Sequence, residues 1–391
     1  MSESRPVLKL HPGQGRRLRA GAPWAYSNEV VPQRLAPGSL VRLEGDGGLR
    51  FGVAMYNPHS LIAVRLLDRD PDAAIDTDWF RARLRDAIAL RARVCDSKFH
   101  RLVHAEADYL PGLIVDRYDD VAVVQANVAG MDRLLDTLRD ALLAELPLRA
   151  IVARNDSGAR RLEGLDEAIS VLHGGPGGAV VTEAGVRFPV DLLAGQKTGW
   201  FFDQRGNRDR VAALAAGASV LDVFCHTGGF GLRCAAAGAA SVRLVDSSAP
   251  ALAQAEAAAA LNPGGAVVTT SRGDAFDIMA AHAAAGDRFD IVICDPPAFA
   301  RTRKDADAGL RAYGRMARLA AALVAPGGFL FVASCSHHAP LDTWAGRIAD
   351  GLQRARRPGR ILATTGAGPD HPVHPALPET AYLKAQLIQL L

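Results

Sequence analysis

The stretch Val220-Leu221-Asp222-Val223-Phe224-Cys225-His226-Thr227-Gly228-Gly229-Phe230-Gly231 decides how this chain is read. Residues 220–224 form a short apolar run of the kind that fills a buried parallel strand. The glycines after it permit a tight turn and a close backbone approach to a ligand. From about residue 191 the same grammar continues. Residues 242–246 predict a second strand, Ala249–Leu261 an Ala-rich helix, and Phe289–Cys294 and 328–333 further strands. Such alternation implies an α/β fold with a mostly parallel, doubly wound sheet, and ligands at the strand C-termini.

The turn lacks the dinucleotide pattern G-x-G-x-x-G, and Asp222 stands before its glycines, where pyrophosphate would be poorly served. S-adenosylmethionine, with a sulfonium and an ammonium, suits that carboxylate better. Asp246 ends the second strand, close to the ~20 residues at which an acid reaches ribose hydroxyls in doubly wound folds. Asp274 falls on the expected third crossover loop, where it can accept from an adenine amine. The cofactor set expected is Asp222, Phe224, Thr227, Gly228, Gly229, Asp246, Ser247, Asp274, Ala275, Asp295 and Gln204. Each acid alone is more often a helix cap or a surface residue; their order on successive loops is the signal.

Asp295-Pro296-Pro297 follows the strand that ends at Cys294. The prolines fix φ and leave a preshaped edge, and the Asp can orient a planar amide-like ring. This motif leaves open whether nitrogen or carbon is the target. Cys335, in Ala333-Ser334-Cys335-Ser336 just past the next strand, favours carbon. Carbon 5 of a pyrimidine becomes nucleophilic only after a thiolate adds at carbon 6. The catalytic pair expected is Cys335 and Asp295. Cys95, Cys234 and Cys294 read as small buried hydrophobes, and Cys225 as an unreactive lining residue of the turn.

Outward from this core, 391 residues suggest two or three domains, and 49% hydrophobic residues exclude a chain disordered throughout. No apolar run approaches the ~18 residues of a membrane span, and no secretory signal opens the sequence. Five cysteines without paired spacing fit neither a disulfide scaffold nor zinc, so a cytoplasmic protein without a metal is expected. Residues 1–70 hold ten basic and six acidic side chains, a net +4, leaving −1 on the rest. A polyanion partner and a solvated basic face explain this charge equally well.

Short runs at 39–43, 52–56 and 61–65, separated by Gly and Pro turns, predict a small β-barrel. A helix is expected from about Asp76, with Phe80, Leu84 and Ile88 on its apolar face and arginines, Arg91 among them, mostly solvated. Strands at 112–116, 121–125 and 150–154, a helix at 131–145 and a hairpin at 180–183 and 186–190 complete an α+β middle region. The division expected is 1–72, 73–190 and 191–391.

Five ordered motifs then carry a resemblance over nearly the whole chain. These are Gly15-Arg16-Arg17-Leu18-Arg19 with Pro23-Trp24-Ala25-Tyr26-Ser27; Leu110-Pro111-Gly112-Leu113-Ile114-Val115-Asp116-Arg117-Tyr118; Lys197-Thr198-Gly199-Trp200-Phe201-Phe202-Asp203-Gln204-Arg205; Asp370-His371-Pro372; and Pro378-Glu379-Thr380-Ala381-Tyr382-Leu383-Lys384. The sequence resembles the large-subunit ribosomal RNA cytosine-5 methyltransferases that carry an N-terminal PUA domain. The resemblance implies a Rossmann-like class I methyltransferase domain behind a PUA-like RNA-binding barrel, using S-adenosylmethionine on 23S rRNA or a large-subunit precursor. It maps the family's cysteine nucleophile onto Cys335 and its Asp-Pro-Pro motif onto Asp295. It raises Arg16, Arg17, Trp24, Lys197, Arg205 and Lys384 as RNA-binding candidates. Ala298 stands where the family often has Lys after Asp-Pro-Pro, with Arg301, Arg303 and Lys304 soon after. Two other readings compete: methylation of an exocyclic amine, with Cys335 a bystander, and an RNA-binding assembly factor with vestigial catalysis. A homodimer is left open.

Overall fold

The computed structural model describes residues 5–95, 97–193, 195 and 198–391. The chain divides into two compact units. Residues 1–179, 190–202 and 369–380 form the first; residues 180–189, 203–368 and 381–391 form the second.

The second unit is built on a seven-stranded sheet. Its strands are β1 (Ser219–Val223), β2 (Ser241–Asp246), β3 (Val267–Arg272), β4 (Phe289–Cys294), β5 (Val324–Ser334), β6 (Gly359–Thr365) and β7 (Lys384–Leu390). Their spatial order is β3-β2-β1-β4-β5-β7-β6. β1 to β5 run parallel; β7 is antiparallel to both of its neighbours. The order reverses at β1, which pairs β2 on one side and β4 on the other. In an open α/β sheet the ligand crevice lies beyond the C-termini of the strands at such a switch point.

The crossover helices are α1 (Gly229–Ala236), α2 (Ala249–Leu261), α3 (Ala275–Ala285), α4 (Ala306–Leu323) and α5 (Leu341–Arg354). Leu221, Val223, Val292, Leu330 and Val332 pack with Met279, Met316, Trp344 and Ile348 in one buried cluster. Each such aliphatic side chain contributes ~1.5–3 kcal/mol on burial. The helices α4 and α5 approach closely at glycine. A Cβ on Gly351 would lie 2.6 Å from the Gly314 carbonyl oxygen and 2.8 Å from Ala317 Cβ. This contact fixes α4, and with it Tyr313 under the β5 terminus.

The first unit holds two five-stranded sheets. One comprises Val7–Lys9, Trp24–Ala25, Ser39–Glu44, Arg50–Tyr56 and Val64–Asp68. The other comprises Phe99–His104, Leu113–Tyr118, Val121–Ala126, Ala150–Asn155 and Ala168–Gly174, against which the helix Thr77–Val94 packs. Asp76 caps that helix, accepting from the Trp79 amide at 3.0 Å.

Several expectations need correcting. The strand expected at 61–65 runs Val64–Asp68, because Asn57 and Ser60 bond Glu163 and hold the preceding residues as a loop. The helix expected at 131–145 is two helices, Ala129–Arg133 and Leu135–Glu145, broken where Leu134 leaves helical angles (φ −100°, ψ 8°). Ala168–Gly174 and Phe99–His104 are strands the pattern did not announce. Arg91 is not solvated. It is 1% exposed and forks onto Asp108, with NH2 2.8 Å from Oδ2, and the same nitrogen donates to the Asp370 carbonyl. Cys95 is half-buried, at the C-terminal end of its helix, rather than part of the core.

Candidate functional site

The turn after β1 is conformationally costly. Phe224 (φ +63°) and His226 (φ +51°) both occupy the left-handed region that ordinary side chains avoid, and Gly228 follows at φ +79°. Non-glycine residues persist there only where surroundings over-determine them, a pattern that clusters at functional sites. Two bonds fix the turn: the Cys225 amide donates to the Val245 carbonyl at 3.0 Å, and the His226 amide to Asp246 Oδ2 at 2.9 Å. Gly231 lets α1 seat against the sheet, since a Cβ there would come within 2.4 Å of Leu244.

Three of the expected acids end consecutive strand–helix connections. Asp222, 1% exposed, accepts from the Gly231 amide at 2.8 Å. Asp246 also accepts from the Ser248 amide at 2.8 Å. Asp274 is exposed and caps α3 by accepting from the Phe276 and Asp277 amides. Burial pushes the Asp222 carboxyl up to about 8; the Gly231 N–H opposes this, the charges of Asp295 and Asp246 add to it, and Arg208 opposes it. A buried carboxyl among two other acids is short of positive charge, which a sulfonium and an ammonium would provide. Thr227, Gly228 and Ala275 are buried, Gly229 and Phe224 half-buried, and Ser247 exposed. Gln204 is buried, its Oε1 accepting from Asn207 Nδ2 at 2.7 Å, and Asn207 in turn accepts from Thr365.

Of the aromatic wall, the sequence pointed to Phe224 but not to Phe276 or Phe299. Phe224, Phe276 and Phe299 form a triangle with ring centroids 6.0–6.3 Å apart, all half-buried, and the Arg315 guanidinium lies 4.7 Å from the Phe276 ring centre. Such rings offer stacking faces to an adenine. The signal available was position: each ring lies within four residues of an expected site residue. Acids and rings together fit the cofactor.

Cys335 follows β5 directly and is half-buried. Ser334 and Ser336 on either side are fully buried, and both hydroxyls lie 2.9 Å from the Tyr313 hydroxyl. The Ala300 amide donates to Ser336 Oγ at 3.1 Å, and the Phe299 and Tyr313 rings are 4.8 Å apart. Tyr313 thereby ties the loop after Asp295-Pro296-Pro297 to the two serines beside the sulfur. Asp295 itself is half-buried and lies close enough for its charge to act on Asp222. The other thiols differ in kind. Burial pushes Cys234 up to about 12 and raises Cys225 and Cys294 further, with Asp222 adding to each.

The RNA-binding candidates do not form one group. In the first unit, Arg16 is exposed, while Arg17 donates to the Tyr26 hydroxyl at 3.0 Å and pairs with Glu379 at 2.9 Å. Trp24 gives its indole N–H to Glu106 at 3.0 Å. Lys197 lies outside the described residues; its neighbour Thr198 bonds Asp116 at 2.5 Å, and Arg101 forks onto the same carboxylate. In the second unit, Arg205 lies 3.7 Å from Glu183, which Arg208 also binds at 2.6 Å through two nitrogens. Lys384 is a correction. It is 8% exposed at the start of β7, opposite Ser334, so it is no surface grip for phosphate.

Comparison with known proteins gives two family matches. Residues 8–69 match the PUA-like domain family, and residues 109–343 match the family described as S-adenosylmethionine-dependent methyltransferase. The chain belongs to the S-adenosylmethionine-dependent methyltransferase family. Relatives of the methyltransferase include "Ribosomal RNA large subunit methyltransferase I" of Shewanella frigidimarina, 35% identical with 96% of this chain and 97% of the relative covered. A "Ribosomal RNA large subunit methyltransferase" of Deinococcus radiodurans is 35% identical over 100% and 99%. In fold the methyltransferase is similar to a SAM-dependent methyltransferase structure from Streptococcus mutans (TM-score 0.82, 20% identity, 98% of this chain and 100% of that one). A methyltransferase structure solved with SAH gives a TM-score of 0.83 at 20% identity, covering 99% and 100%. Among the described residues no helix is long and apolar enough to cross a membrane.

Proposed function

We propose that this methyltransferase forms 5-methylcytosine in 23S rRNA through a covalent adduct on Cys335. The observation that carries the reading is the placement of Cys335 at the end of β5, the strand beside the one that Asp295 follows, between two buried serines that bond Tyr313. The names of the relatives support a large-subunit rRNA substrate. The 1–72, 73–190 and 191–391 segments serve as RNA-binding, connecting and catalytic parts, and an rRNA substrate puts the protein in the cytoplasm.

Asp222, Asp246 and Asp274, with Phe224 and Phe276, hold S-adenosylmethionine, which supplies an electrophilic methyl group on sulfur. A target cytosine leaves its stack. Asp295 orients the ring. The Cys335 thiolate bonds to carbon 6, and the π electrons of the 5,6 double bond move toward carbon 5, which becomes the nucleophile. Once carbon 5 carries the methyl, its proton leaves to a base. The electron pair restores the double bond and expels the thiolate, so Cys335 ends unchanged.

The test is nucleoside mass spectrometry of 23S rRNA lacking the modification, treated with protein and S-adenosylmethionine. Wild type restores 5-methylcytosine and Cys335→Ala does not. Full activity in Cys335→Ala, or a methylated amine as product, overturns the reading.

A further inference from the structure

A lysine that is 8% exposed is unusual, because removing an ammonium from water is costly unless it is paired. Lys384 Nζ donates to two backbone carbonyls only, Ser336 at 2.7 Å and Tyr382 at 3.2 Å. Among the described residues no carboxylate lies within ion-pair distance of it. Carbonyl dipoles alone rarely compensate a buried cation. Its contacts lie at the residues on either side of Cys335. Lys384 stands opposite Ser334 in the β5–β7 ladder, and its bond to the Ser336 carbonyl brackets Cys335 from the other side.

We propose that Lys384 is the positioning residue for Cys335, its buried ammonium holding the sulfur as a thiolate beneath the target base. The assignment rests on the reading of Cys335 as the nucleophile. It explains why a cation is buried here without a carboxylate: its counter-charge is the thiolate itself. Burial lowers the Lys384 ammonium below its ordinary value, while the Cys335 charge works the other way. Other groups facing the sulfur are poorer candidates. Tyr313 on α4 is raised by burial, so it stays a neutral hydroxyl at physiological pH. Asp295, one strand over, is acidic and opposes a thiolate. His338 on the Cys335 loop is exposed; so is His337, whose ring lies 5.6 Å from that of Tyr382. No covalent chemistry is asked of Lys384. A thiol near an ammonium releases its proton to water more readily, and the ammonium keeps all three of its own.

The test is the pH profile of iodoacetamide alkylation at Cys335, read by peptide mass spectrometry on the full chain. S-adenosylmethionine binding by calorimetry serves as the fold control. In wild type the midpoint lies below the ~8.5 of an ordinary thiol. In Lys384→Met it rises by a unit or more, with about a tenfold slower reaction at pH 7, while Lys384→Arg restores the wild-type profile. Should Lys384→Met lose cofactor binding, Lys384→Gln, which keeps donors for both carbonyls, gives the same readout. An unchanged midpoint in a variant that binds cofactor normally overturns the proposal, as does a wild-type midpoint at or above ~8.5. The alkylation profile reports the Lys–Cys pair whether or not rRNA is methylated. Failure of the pairing is thus separable from failure of the covalent mechanism, which Cys335→Ala tests.

Discussion

With Asp222 in its proposed place against the cofactor's cationic groups, cofactor binding should depend on pH, in a direction and by an amount that follow from the burial of its carboxyl. Its carboxyl is held up at about 8 by burial, aided by Asp295 and Asp246. Below pH 8 the unliganded protein therefore holds Asp222 neutral. A cationic ligand favours the carboxylate, so binding releases a proton. Ionising the group at a given pH costs ~1.4 kcal/mol for each unit below 8. Between pH 5.5 and 7.5 that cost falls by ~2.7 kcal/mol, which is about a hundredfold gain in affinity for S-adenosylmethionine. The interval also stays below the ~7.7–8.0 of an α-amino group, so the ligand keeps its own charge. The assay is isothermal titration calorimetry at half-unit steps in two buffers of different ionisation enthalpy. Affinity should tighten by about tenfold per unit, with close to one proton released at pH 6. Asp222→Asn should bind more weakly at pH 7.5 and flatten the dependence. If wild type changes by less than about twofold over the interval, or Asp222→Asn retains the slope, the linkage argument built on Asp222 is wrong.

Two further outcomes are expected. Tyr313→Phe removes the hydroxyl shared by Ser334 and Ser336 in a buried place, at ~1–3 kcal/mol, so methyl transfer should fall about 10- to 100-fold. Calorimetry should find its cofactor affinity unchanged; a parallel loss of binding would mean that Tyr313 supports the whole domain instead of the Cys335 segment. Arg91→Met leaves Asp108 charged and buried and frees the Asp370 carbonyl, which should destabilise the first unit by ~3–5 kcal/mol in denaturant titration followed by Trp79 fluorescence.

The second unit was largely legible because its signals are local. A strand, a glycine turn and an acid lie within twelve residues at 220–231, and the pattern recurs at each crossover. The Phe224 and His226 angles were hidden, since neither residue type announces a positive φ; the bonds from Val245 and Asp246 that hold the turn come from another strand. Tyr313 reads in sequence as one more apolar residue on an amphipathic helix. Only the fold brings its hydroxyl to serines 21 and 23 residues away. Arg91 lies on an arginine-rich helix on which Arg85 and Arg93 are exposed and Arg81 and Arg83 half-buried, and its partner Asp108 belongs to a different element. Lys384 was seen within a motif, but the motif carried no information about which way a strand residue faces. Patterns spaced within a turn or two were readable, whereas charges and hydroxyls satisfied over long chain separations were not.

The division of the chain has a consequence for its synthesis. Five times the polypeptide passes from one unit to the other, and β7, which seats between β5 and β6, is made after both. While the ribosome is still translating residue 370, the edge of β5 beside Cys335 has no neighbour and β6 has nothing to pair with. A nascent chain therefore presents an open sheet edge next to Cys335 until β7 arrives. Lys384 heads that strand, so the order of translation brings its ammonium to the Ser336 carbonyl in the same step that closes the sheet.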